Sequence, residues 1–538
     1  MTREIAPEEA HSIAPDIAGD RLTLTRRKAG TVGHNSLKRG APRGGAQEPA
    51  ARVAVAAASL DHAAIRSIIA GIMLAMFLSA LEQTIVAPAL PAIGRSLGDI
   101  DDLSWIVTAY LLAATATTPL FGKLSDIYGR RTILLLAVSI FIAGSVACAL
   151  APTIWFLVLA RGLQGIGGGG ILPIAQTIIA DMLSPRERPL VQGRTSIMFM
   201  SASILGPVLG GFLTDHMHWS LIFWINLPLG ILALVTTDRA LRRLPRHDRP
   251  HKLDVIGGGL MVGAALALML ALSWGGTHYP WNSWRIIALI VSSAALWALF
   301  AVRLLTAREP FIPLAILRSR VTSTITCAAF FSIGAVIGVT IYTPLYCQVV
   351  LGASASLSGI TLIAFMAGAT IGSMVTGRVI VHVTHYMRVP IAGLIVAIAA
   401  LATLAANPAG YSLVEVAALL FALGAGIGPM YPMSTVIMQN GVEPHQLGTA
   451  TGTLNFFRLL GGAIVVAVFG AIVLGGVSDG TGVATLEKVA AGHGDFAAAF
   501  RWVFIAAGIC LGIALACVLM VDERPLHGPV GLAESLAE

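Results

Sequence analysis

Residues 122–151 read GKLSDIYGRRTILLLAVSIFIAGSVACALA, a short charged loop followed directly by a long apolar run. The run occupies residues 133–151 and contains no charged side chain. An α-helix rises about 1.5 Å per residue, so a run of this length covers most of the roughly 30 Å hydrocarbon core of a membrane. The stretch therefore predicts a membrane-spanning helix that begins immediately after a charged turn.

Similar apolar runs recur along the chain from residue 67 onward. They predict fourteen membrane spans, at residues 67–91, 104–121, 133–151, 154–179, 195–214, 220–237, 255–273, 285–305, 322–346, 355–376, 389–406, 412–435, 447–475 and 498–521. The 538-residue chain is 56% hydrophobic and only 12% charged, so it has too few polar residues for a soluble enzyme or a disordered chain. The predicted fold class is an all-α polytopic membrane protein.

The positions of the basic residues predict the orientation of the spans. With the N-terminus inside, the inner loops and tails hold 29 of the 35 Lys and Arg residues, which by the positive-inside rule places both termini in the cytoplasm. Tryptophan, which favours the membrane–water interface, supports the same topology. Seven of the nine tryptophans fall at the outer ends of predicted spans: Trp105, Trp155, Trp219, Trp274, Trp281, Trp284 and Trp502. The absence of an Asn-x-Ser/Thr acceptor fits a bacterial plasma membrane.

Residues 1–62 and 523–538 are predicted to be cytoplasmic tails. The first 60 residues contain nine basic residues and no compact apolar stretch of the kind that a signal peptide needs. We expect this segment to be disordered, and contact with anionic lipid headgroups is the alternative. The five cysteines lie within or beside apolar runs without basic neighbours, which favours buried thiols over redox sensors, disulfides or metal ligands.

The charged loop before span 3 reads Gly122-Lys-Leu-Ser-Asp126-Ile-Tyr-Gly129-Arg130-Arg131. Gly122 and Gly129 permit a tight turn, and Asp126 is placed to pair with the bases at the start of the next helix. An acid–base pair at a helix end breaks and re-forms at little cost, which suits a conformational gate. Simple anchoring by positive charge would account for Arg130 and Arg131, but not for the glycines or the acid.

Four other spans carry polar or glycine-rich motifs. In order they are Leu81-Glu82-Gln83-Thr84 in span 1, Leu159-Ala-Arg161-Gly162-Leu-Gln164-Gly165 in span 4, Gly206-Pro207-Val-Leu-Gly210-Gly211 in span 5, preceded by Gly193, and Phe223-Trp-Ile-Asn226-Leu-Pro228 in span 6. The span 5 motif is similar to one associated with antiporters. Together with the charged loop, the motifs resemble the drug:proton antiporters of the 14-helix branch (EmrB/QacA type) of the major facilitator superfamily.

The sequence departs from this family pattern at several positions. Ile127 and Thr132 stand where the loop motif usually has bases, and Ala202 replaces a glycine of the span 5 motif. Glu82 stands where aspartate is more frequent, which keeps the carboxyl group and lengthens its reach. The corresponding loop of the second half, residues 377–388, contains no acid, so an equivalent gate is not expected there.

The resemblance implies a major facilitator fold. Residues 63–240 and 311–522 would form two six-helix bundles that rock around a midplane cavity, with residues 241–310 as two extra central helices. The implied function is a proton-coupled antiporter that exports lipophilic drugs or toxic compounds by alternating access. Its energy source would be the proton gradient, with no cofactor. Its partners would be lipophilic small molecules, protons and membrane lipid, with no nucleic acid, and a periplasmic adaptor is left open.

Other functions fit parts of the same pattern. An exporter of a defined metabolite, such as an amino acid, a siderophore or a lipid precursor, would have the same topology. An intramembrane enzyme would need a reactive set at membrane depth, such as His with Asp, and the sequence offers none. A non-transporting sensor would need a signalling domain, for which the loops are too short. The chain is therefore predicted to be a transporter and not an enzyme.

Glu82 is the predicted proton carrier. It lies about 15 residues after Ser67, roughly 22 Å into the membrane, where a carboxylate is costly unless it is protonated or lines a hydrated cavity. A structural glutamate bonded to Gln83 or Thr84 is the alternative. Arg161, in the same outer half, is predicted either to bias the proton affinity of Glu82 or to clamp neighbouring carbonyl groups.

Several other residues are expected to shape the cavity and the helix contacts. The predicted cavity-lining side chains are Gln83, Gln164, Asn455 and Arg458. For Arg458 and Asn455, contact with an acidic partner or substrate and a packing role are both open. The span 5 glycines and Pro207 are expected to let helices approach and bend, with generic packing as the alternative. No metal site is predicted, because the histidines lack neighbouring acids or cysteines.

Overall fold

The structure is a computed structural model that describes residues 62–98, 102–242, 253–276, 278–383, 385–475, 496–524 and 526. Within these ranges the chain is helical and forms no β-strand. The predicted N-terminal tail, apart from His62, and most of the predicted C-terminal tail lie outside the described residues.

The described helices fall into an N-terminal half, an inserted pair and a C-terminal half. The N-terminal half contains α1 (His62–Ile85), α2 (Leu90–Leu97), α3 (Leu103–Tyr128), α4 (Arg130–Ala149), α5 (Ile154–Met182), α6 (Arg188–His216), α7 (Leu221–Trp224) and α8 (Asn226–Leu241). The inserted pair is α9 (Val255–Trp274) and α10 (Trp284–Thr306). The C-terminal half contains α11 (Leu314–Arg318), α12 (Arg320–Val349), α13 (Ala355–His382), α14 (Arg388–Ala406), α15 (Leu413–Ile427), α16 (Met430–Asn440), α17 (Leu447–Gly475) and α18 (Phe496–Leu519).

The number of membrane spans is as the sequence predicts. Among the described residues, 14 helical stretches are long and apolar enough to cross a membrane, and each overlaps one predicted span. Some helices extend past the apolar run because their charged ends find partners. For example, α6 begins at Arg188 rather than at residue 195, and the Arg188 guanidinium donates hydrogen bonds to the carbonyl oxygens of Ala180 and Leu183. The all-α polytopic fold class is confirmed.

Three predicted spans are interrupted rather than continuous helices, and in the sixth span Ile225 separates α7 from α8. In the first, α1 ends at Ile85, and a 3-10 helix (Ala87–Ala89) leads into α2. Pro88 and Pro91 lie at this break, and proline has no N–H group with which to continue the hydrogen-bond ladder. In the twelfth span, Gly428-Pro429 separates α15 from α16. Apolar length alone does not reveal these breaks, and proline alone does not predict them, because Pro119 and Pro173 lie inside the continuous helices α3 and α5.

Glycines in α5 let three helices of the N-terminal half approach closely. A Cβ atom at Gly169 would collide with the carbonyl oxygen of Ala114 in α3. A Cβ atom at Gly167 would lie 2.6 Å from the carbonyl oxygen of Ala137 in α4. Because these glycines face two different neighbours, α5 packs tightly between α3 and α4.

The two halves have separate hydrophobic cores. The largest core of the N-terminal half lies within residues 65–241 and includes the fully buried side chains of Ile72 and Phe141. The core of the C-terminal half extends to residue 521 and also takes in Met261 and Phe300 from the inserted pair. The predicted domain boundaries at residues 240 and 310 remain predictions.

The inserted pair contacts both halves. α9 packs against α3 of the N-terminal half and against α17 of the C-terminal half. A shared hydrophobic cluster fills this seam: Leu112, Ala265, Met269, Phe456 and Leu460. The inserted pair therefore covers the seam between α3 and α17.

The glycine contacts of α5 can be tested with two alanine substitutions on one helix. Gly169→Ala should destabilise the protein by about 1–3 kcal/mol, because the new methyl group overlaps the backbone of α3. Gly162→Ala is the matched control, since no atom lies within 4 Å of the position that its Cβ would take, and it should be neutral or stabilising by up to about 1 kcal/mol. Size-exclusion chromatography after heating detergent-solubilised protein measures both. Equal thermal stability of the two variants would contradict the close packing.

Candidate functional site

A buried ion pair lies between α1 and α5. Glu82 is 0% exposed and Arg161 is 1% exposed. An Arg161 Nη1 donates to Glu82 Oε1, and Asn226 Nδ2, at the start of α8, donates to Glu82 Oε2. Both carboxylate oxygens therefore have partners, and the two opposite charges compensate each other in the absence of water.

Arg161 also bonds to groups other than Glu82. Its Nε donates to the carbonyl oxygen of Ile106 at 3.1 Å, and its Nη1 donates to Gln164 Oε1 at 2.6 Å. The guanidinium lies over the Tyr110 ring, 4.4 Å from the ring centre. Arg161 therefore pairs with Glu82 and also clamps a carbonyl group of α3, and its effect on the proton affinity of Glu82 stays a prediction.

Ser145 of α4 joins the two amide side chains of this site. Gln164 Nε2 donates to Ser145 Oγ at 2.6 Å, and Asn226 Nδ2 donates to the same oxygen at 3.1 Å. Asn226 Oδ1 is buried and has no hydrogen-bond partner. Five helices of the N-terminal half (α1, α3, α4, α5 and α8) therefore meet at Glu82 through side chains or backbone carbonyls.

The sequence offered Gln83 and Thr84 as alternative hydrogen-bond partners of Glu82, but both side chains bond to backbone carbonyl groups instead. Gln83 is exposed and donates to the carbonyl oxygen of Ser79, while Thr84 donates to the carbonyl oxygens of Leu81 and Ala202. Gln83 therefore takes no part in the buried site, although Gln164, predicted with it, lies at its centre.

The gate residues form a contact between the two halves. The Asp126 carboxylate accepts hydrogen bonds from the backbone N–H of Gly448 at 2.9 Å and of Thr449 at 2.6 Å, in the first turn of α17. Thr449 Oγ1 donates to the same carboxylate at 2.6 Å. A carboxylate at a helix N-terminus is stabilised by the free N–H groups and by the helix dipole. We call this contact the latch, and the end of the bundle that carries it the latch end.

Arg130 and Arg131, at the start of α4, form ion pairs with carboxylates of the N-terminal half. Arg130 pairs with Asp126 and, at 3.0 Å, with Asp181 near the end of α5. Arg131 pairs with Asp238 of α8. The predicted pairing of Asp126 with a base at the next helix start is thus present in the structure, and it is joined to α5 and α8.

The two glycines of the charged motif serve different purposes, and the prediction that both permit a turn is wrong for Gly122, because residues 122–128 form the end of α3. Gly129 has a φ of 89°, a left-handed conformation that side chains rarely adopt, and it separates α3 from α4. A Cβ atom at Gly122 would collide with the carbonyl oxygen of Gly448. Gly122 therefore lets α3 touch the start of α17, which brings Asp126 within reach of its N–H groups.

The span 5 motif brings α6 against two other helices. Cβ atoms at Gly206 and Gly210 would collide with Thr84 and Ile85 of α1, two and three residues after Glu82. A Cβ atom at Gly193 would lie 3.3 Å from Met374 Cα in α13 of the other half. Pro207 lies inside α6, and nothing lies within 4 Å of the Cβ position of Gly211. Three of the five predicted positions, Gly193, Gly206 and Gly210, thus lie at contacts with other helices, and Pro207 lies between two of them.

A second set of polar groups joins the two halves further into the bundle than the latch, between α5 on one side and α16 and α17 on the other. Asn455 Nδ2 donates to Gln176 Oε1 at 2.7 Å, and Gln176 Nε2 donates to the Tyr431 hydroxyl at 3.3 Å. Gln439 Nε2 donates to the carbonyl oxygen of Gln176 at 3.3 Å, and Arg458 Nη1 donates to Asn455 Oδ1 at 3.1 Å. We call these five residues the polar layer. With the latch, the layer closes the bundle toward the latch end.

Sequence reasoning missed several residues of these sites. Asn226 lies in the span 6 motif, but its bond to Glu82 depends on how α8 docks. Gln176 was not singled out, although a polar side chain in the apolar, glycine-rich α5 is a signal that could have found it. Among the described residues, no group of three or more His, Cys, Asp or Glu could hold a metal ion.

Comparison with known proteins agrees with the family predicted from the motifs. A family model described as Major Facilitator Superfamily matches residues 72–466. The chain is 32% identical over 405 residues to Multidrug transporter protein MdtP of Bacillus subtilis (strain 168), covering 75% of this chain and 74% of that protein. It is 33% identical over 413 residues to Multidrug resistance protein 3 of the same organism, covering 76% and 80%.

A solved structure supports the fold. A bacterial homologue of the iron transporter ferroportin, in an outward-facing state, superposes with a TM-score of 0.60 at 10% identity, covering 85% of this chain and 99% of that chain. At this identity the likeness concerns the fold alone. The family model and the two relatives confirm the superfamily, and the 14-helix antiporter branch stays a prediction.

The latch can be tested by neutralising its acid. Asp126→Asn should weaken charge-assisted hydrogen bonds to α17, worth about 1.5–3 kcal/mol, and so open the latch end more often. Thr451→Cys, placed at a buried residue beside Gln439 in a cysteine-free background, reports the opening. Its labelling by N-ethylmaleimide should rise several-fold when Asp126→Asn is added.

Asp238→Asn is the matched control for the latch. Asp238 pairs with Arg131 and Arg242, both in the N-terminal half. Its neutralisation removes a carboxylate at the same end without removing a bond between the halves, so labelling should stay at the parent rate. Equal labelling with Asp126→Asn and Asp238→Asn would contradict the assignment of Asp126 as the latch.

Proposed function

The chain belongs to the major facilitator superfamily, and we propose that it is a proton-coupled antiporter that exports lipophilic compounds by alternating access. As a member of this family it is a multi-pass membrane transporter of small molecules and not an enzyme. Relatives named as multidrug proteins support lipophilic compounds as its cargo. In this proposal the proton gradient supplies the energy and no cofactor takes part.

The observation that carries the proposal is the fully buried carboxylate of Glu82. A charged side chain inside a membrane protein is costly and is usually functional. A proton that binds Glu82 removes the negative charge and with it the ion pair to Arg161. The protonation of one residue therefore changes a contact between α1 and α5.

The surroundings of Glu82 can accommodate both protonation states. Without Glu82, Arg161 keeps the carbonyl oxygen of Ile106, the amide oxygen of Gln164 and the face of Tyr110. Asn226 Oδ1, which has no partner while Glu82 is charged, can accept the new hydrogen bond once the amide turns over. A proton carrier needs this tolerance, because it must release its proton in a later step.

α5 connects Glu82 to the contacts between the halves. Arg161 lies near one end of this helix, and Gln176, which bonds to Asn455 and Tyr431, follows 15 residues later. That separation is about 22 Å along the helix. Asp181, one turn further, holds Arg130 of the latch. A shift of α5 on loss of the ion pair would therefore reach both the polar layer and the latch.

We further propose that the latch end faces the cytoplasm of a bacterial cell, with both termini on that side. The positive-inside rule supports this orientation, because the loops at the latch end are rich in arginine. In the described state the latch end is closed. Inward movement of protons through Glu82 would then drive outward movement of a compound taken from the inner leaflet.

The proposal is tested in everted membrane vesicles with a preset proton gradient. Addition of a lipophilic substrate should dissipate the gradient with the wild-type protein, and Glu82→Gln should abolish this exchange, because the variant cannot carry a proton. Glu82→Asp should keep part of the activity. Fluorescence quenching of a pH-sensitive dye measures the gradient.

Glu415→Gln is the matched control for Glu82→Gln. Glu415 forms a capping box with Ser412 at the start of α15 and lies on the exposed surface, so its neutralisation should leave exchange intact. Uphill export by Glu82→Gln, or export by the wild type after an ionophore has collapsed the proton gradient, would overturn the proposal.

A further inference from the structure

The polar layer contains a buried positive charge without a carboxylate partner. Arg458 is 2% exposed, and among the described residues it forms no salt bridge. Its acceptors are neutral: Asn455 Oδ1 at 3.1 Å, the carbonyl oxygen of Tyr431 at 2.9 Å, Ser434 Oγ at 2.6 Å and Thr435 Oγ1 at 2.9 Å. Hydrogen bonds of this kind orient a guanidinium group but do not neutralise it.

Two other buried arginines show how a charge is usually compensated. Arg161 pairs with Glu82. Arg188, whose buried Nη1 has no partner among the described residues, lies beside the C-terminal end of α5, where it donates to the carbonyl oxygens of Ala180 and Leu183 and the helix dipole favours a cation. Arg458 has neither form of compensation. Three of its four acceptors, on Tyr431, Ser434 and Thr435, belong instead to the first half of α16, where the helix dipole favours an anion.

The guanidinium group also has an unused donor. Arg458 Nε is buried and has no hydrogen-bond partner, although one face of the group is covered by the Tyr431 ring at 4.4 Å. A buried donor without an acceptor carries a desolvation cost that a ligand can relieve. An acceptor with a negative charge would satisfy the donor and neutralise the guanidinium group at once.

The surroundings of Arg458 include the other half of the protein. Its partner Asn455 bonds to Gln176 of α5, and Gln176 also bonds to Tyr431. Arg458 follows Thr449 of the latch by nine residues, so it lies about 14 Å along α17 from the latch contact. Separation of the halves at the latch end would break the bonds that Gln176 makes across them, and Arg458 would then lie next to the opening.

We infer that Arg458 anchors a binding site for the carboxylate group of a lipophilic anion in the state that is open at the latch end. The inference deepens the proposed function, on which it rests, by assigning a charge to the cargo. The carboxylate bonds to the guanidinium group, and the apolar body of the ligand lies between the halves. Lipophilic cations are disfavoured, because they meet an uncompensated positive charge.

The test uses the full chain in nanodiscs of zwitterionic phosphatidylcholine. Three probes share one apolar body and differ in the charge of the head group: 4-phenylbutanoate, 4-phenylbutan-1-ol and 4-phenylbutylammonium. Isothermal titration at neutral pH should give a Kd for the anion at least tenfold lower than for the ammonium probe. Asp126→Asn should lower the Kd of the anion further, because it opens the latch end.

Variants at Arg458 separate charge from shape. Arg458→Gln should raise the Kd of the anion at least tenfold while changing that of the alcohol little. Arg458→Lys keeps the charge without the planar fork, so it should keep the preference for the anion at a weaker affinity. Arg242→Gln, which changes an exposed arginine at the latch end, is the control and should bind the anion as the wild type does.

Several results would overturn the inference. Equal Kd values for the anion and the ammonium probe would do so, as would a preference for the anion that survives Arg458→Gln. No measurable binding of the anion to the wild type or to Asp126→Asn would overturn it as well. If Arg458→Gln does not yield folded protein, the wild-type ratio and Arg458→Lys decide, and loss of the anion preference with Lys counts against the site.

The source of the anion and the link to proton coupling are tested separately. In nanodiscs that contain phosphatidylglycerol, unchanged binding of the probe supports a site for cargo. Loss of binding there would assign Arg458 to a lipid headgroup and overturn the inference. No step requires a proton gradient, so a protein that binds the anion but does not exchange protons refutes the proposed function alone. A protein that exchanges protons without preferring the anion refutes this inference alone.

Discussion

The buried ion pair of Glu82 and Arg161 is the constraint on which the N-terminal half depends. Neither charge reaches water, so each requires the other, and removal of one partner from such a pair typically costs about 3–5 kcal/mol. Asn226, Ser145 and Gln164 occupy the remaining hydrogen-bonding positions. Because these residues come from separate helices, the pair fixes how α1, α4, α5 and α8 are arranged around it.

The tight packing of α5 gives that arrangement consequences elsewhere. Its glycines leave α5 little freedom to deform against α3 and α4, so in the proposed function a change at Arg161 would move the helix as one body. The far part of α5 carries Gln176 and Asp181, which contact the polar layer and the latch. A single helix thus touches the titratable pair and both contacts between the halves.

The sequence predicted the fold more completely than the sites. Span number followed from apolar length, because the membrane thickness fixes the helix length, and the loop motif located Asp126 and Arg130. The breaks near Pro88, at Ile225 and at Gly428-Pro429 are not predicted by the sequence, since the apolar run continues through them. The partners of Asp126 in α17 could not be predicted either. They are backbone N–H groups, which every residue except proline has, so no residue type indicates them. The sequence also did not separate Gln83, which is exposed, from Gln164, which is buried. The face that each helix turns toward its neighbours decides this, and the face depends on how the helices pack.

The position of the inserted pair makes the protein asymmetric toward the bilayer. α9 and α10 screen the junction of α3 and α17, whereas α6 and α13 meet each other directly. Val208 and Val375 on those two helices are 63% and 50% exposed. Two layers of helices therefore separate the lipid from the interior on one flank, and one layer does so on the other. In the proposed function, a compound that enters sideways from the acyl chains would cross the thinner α6–α13 flank.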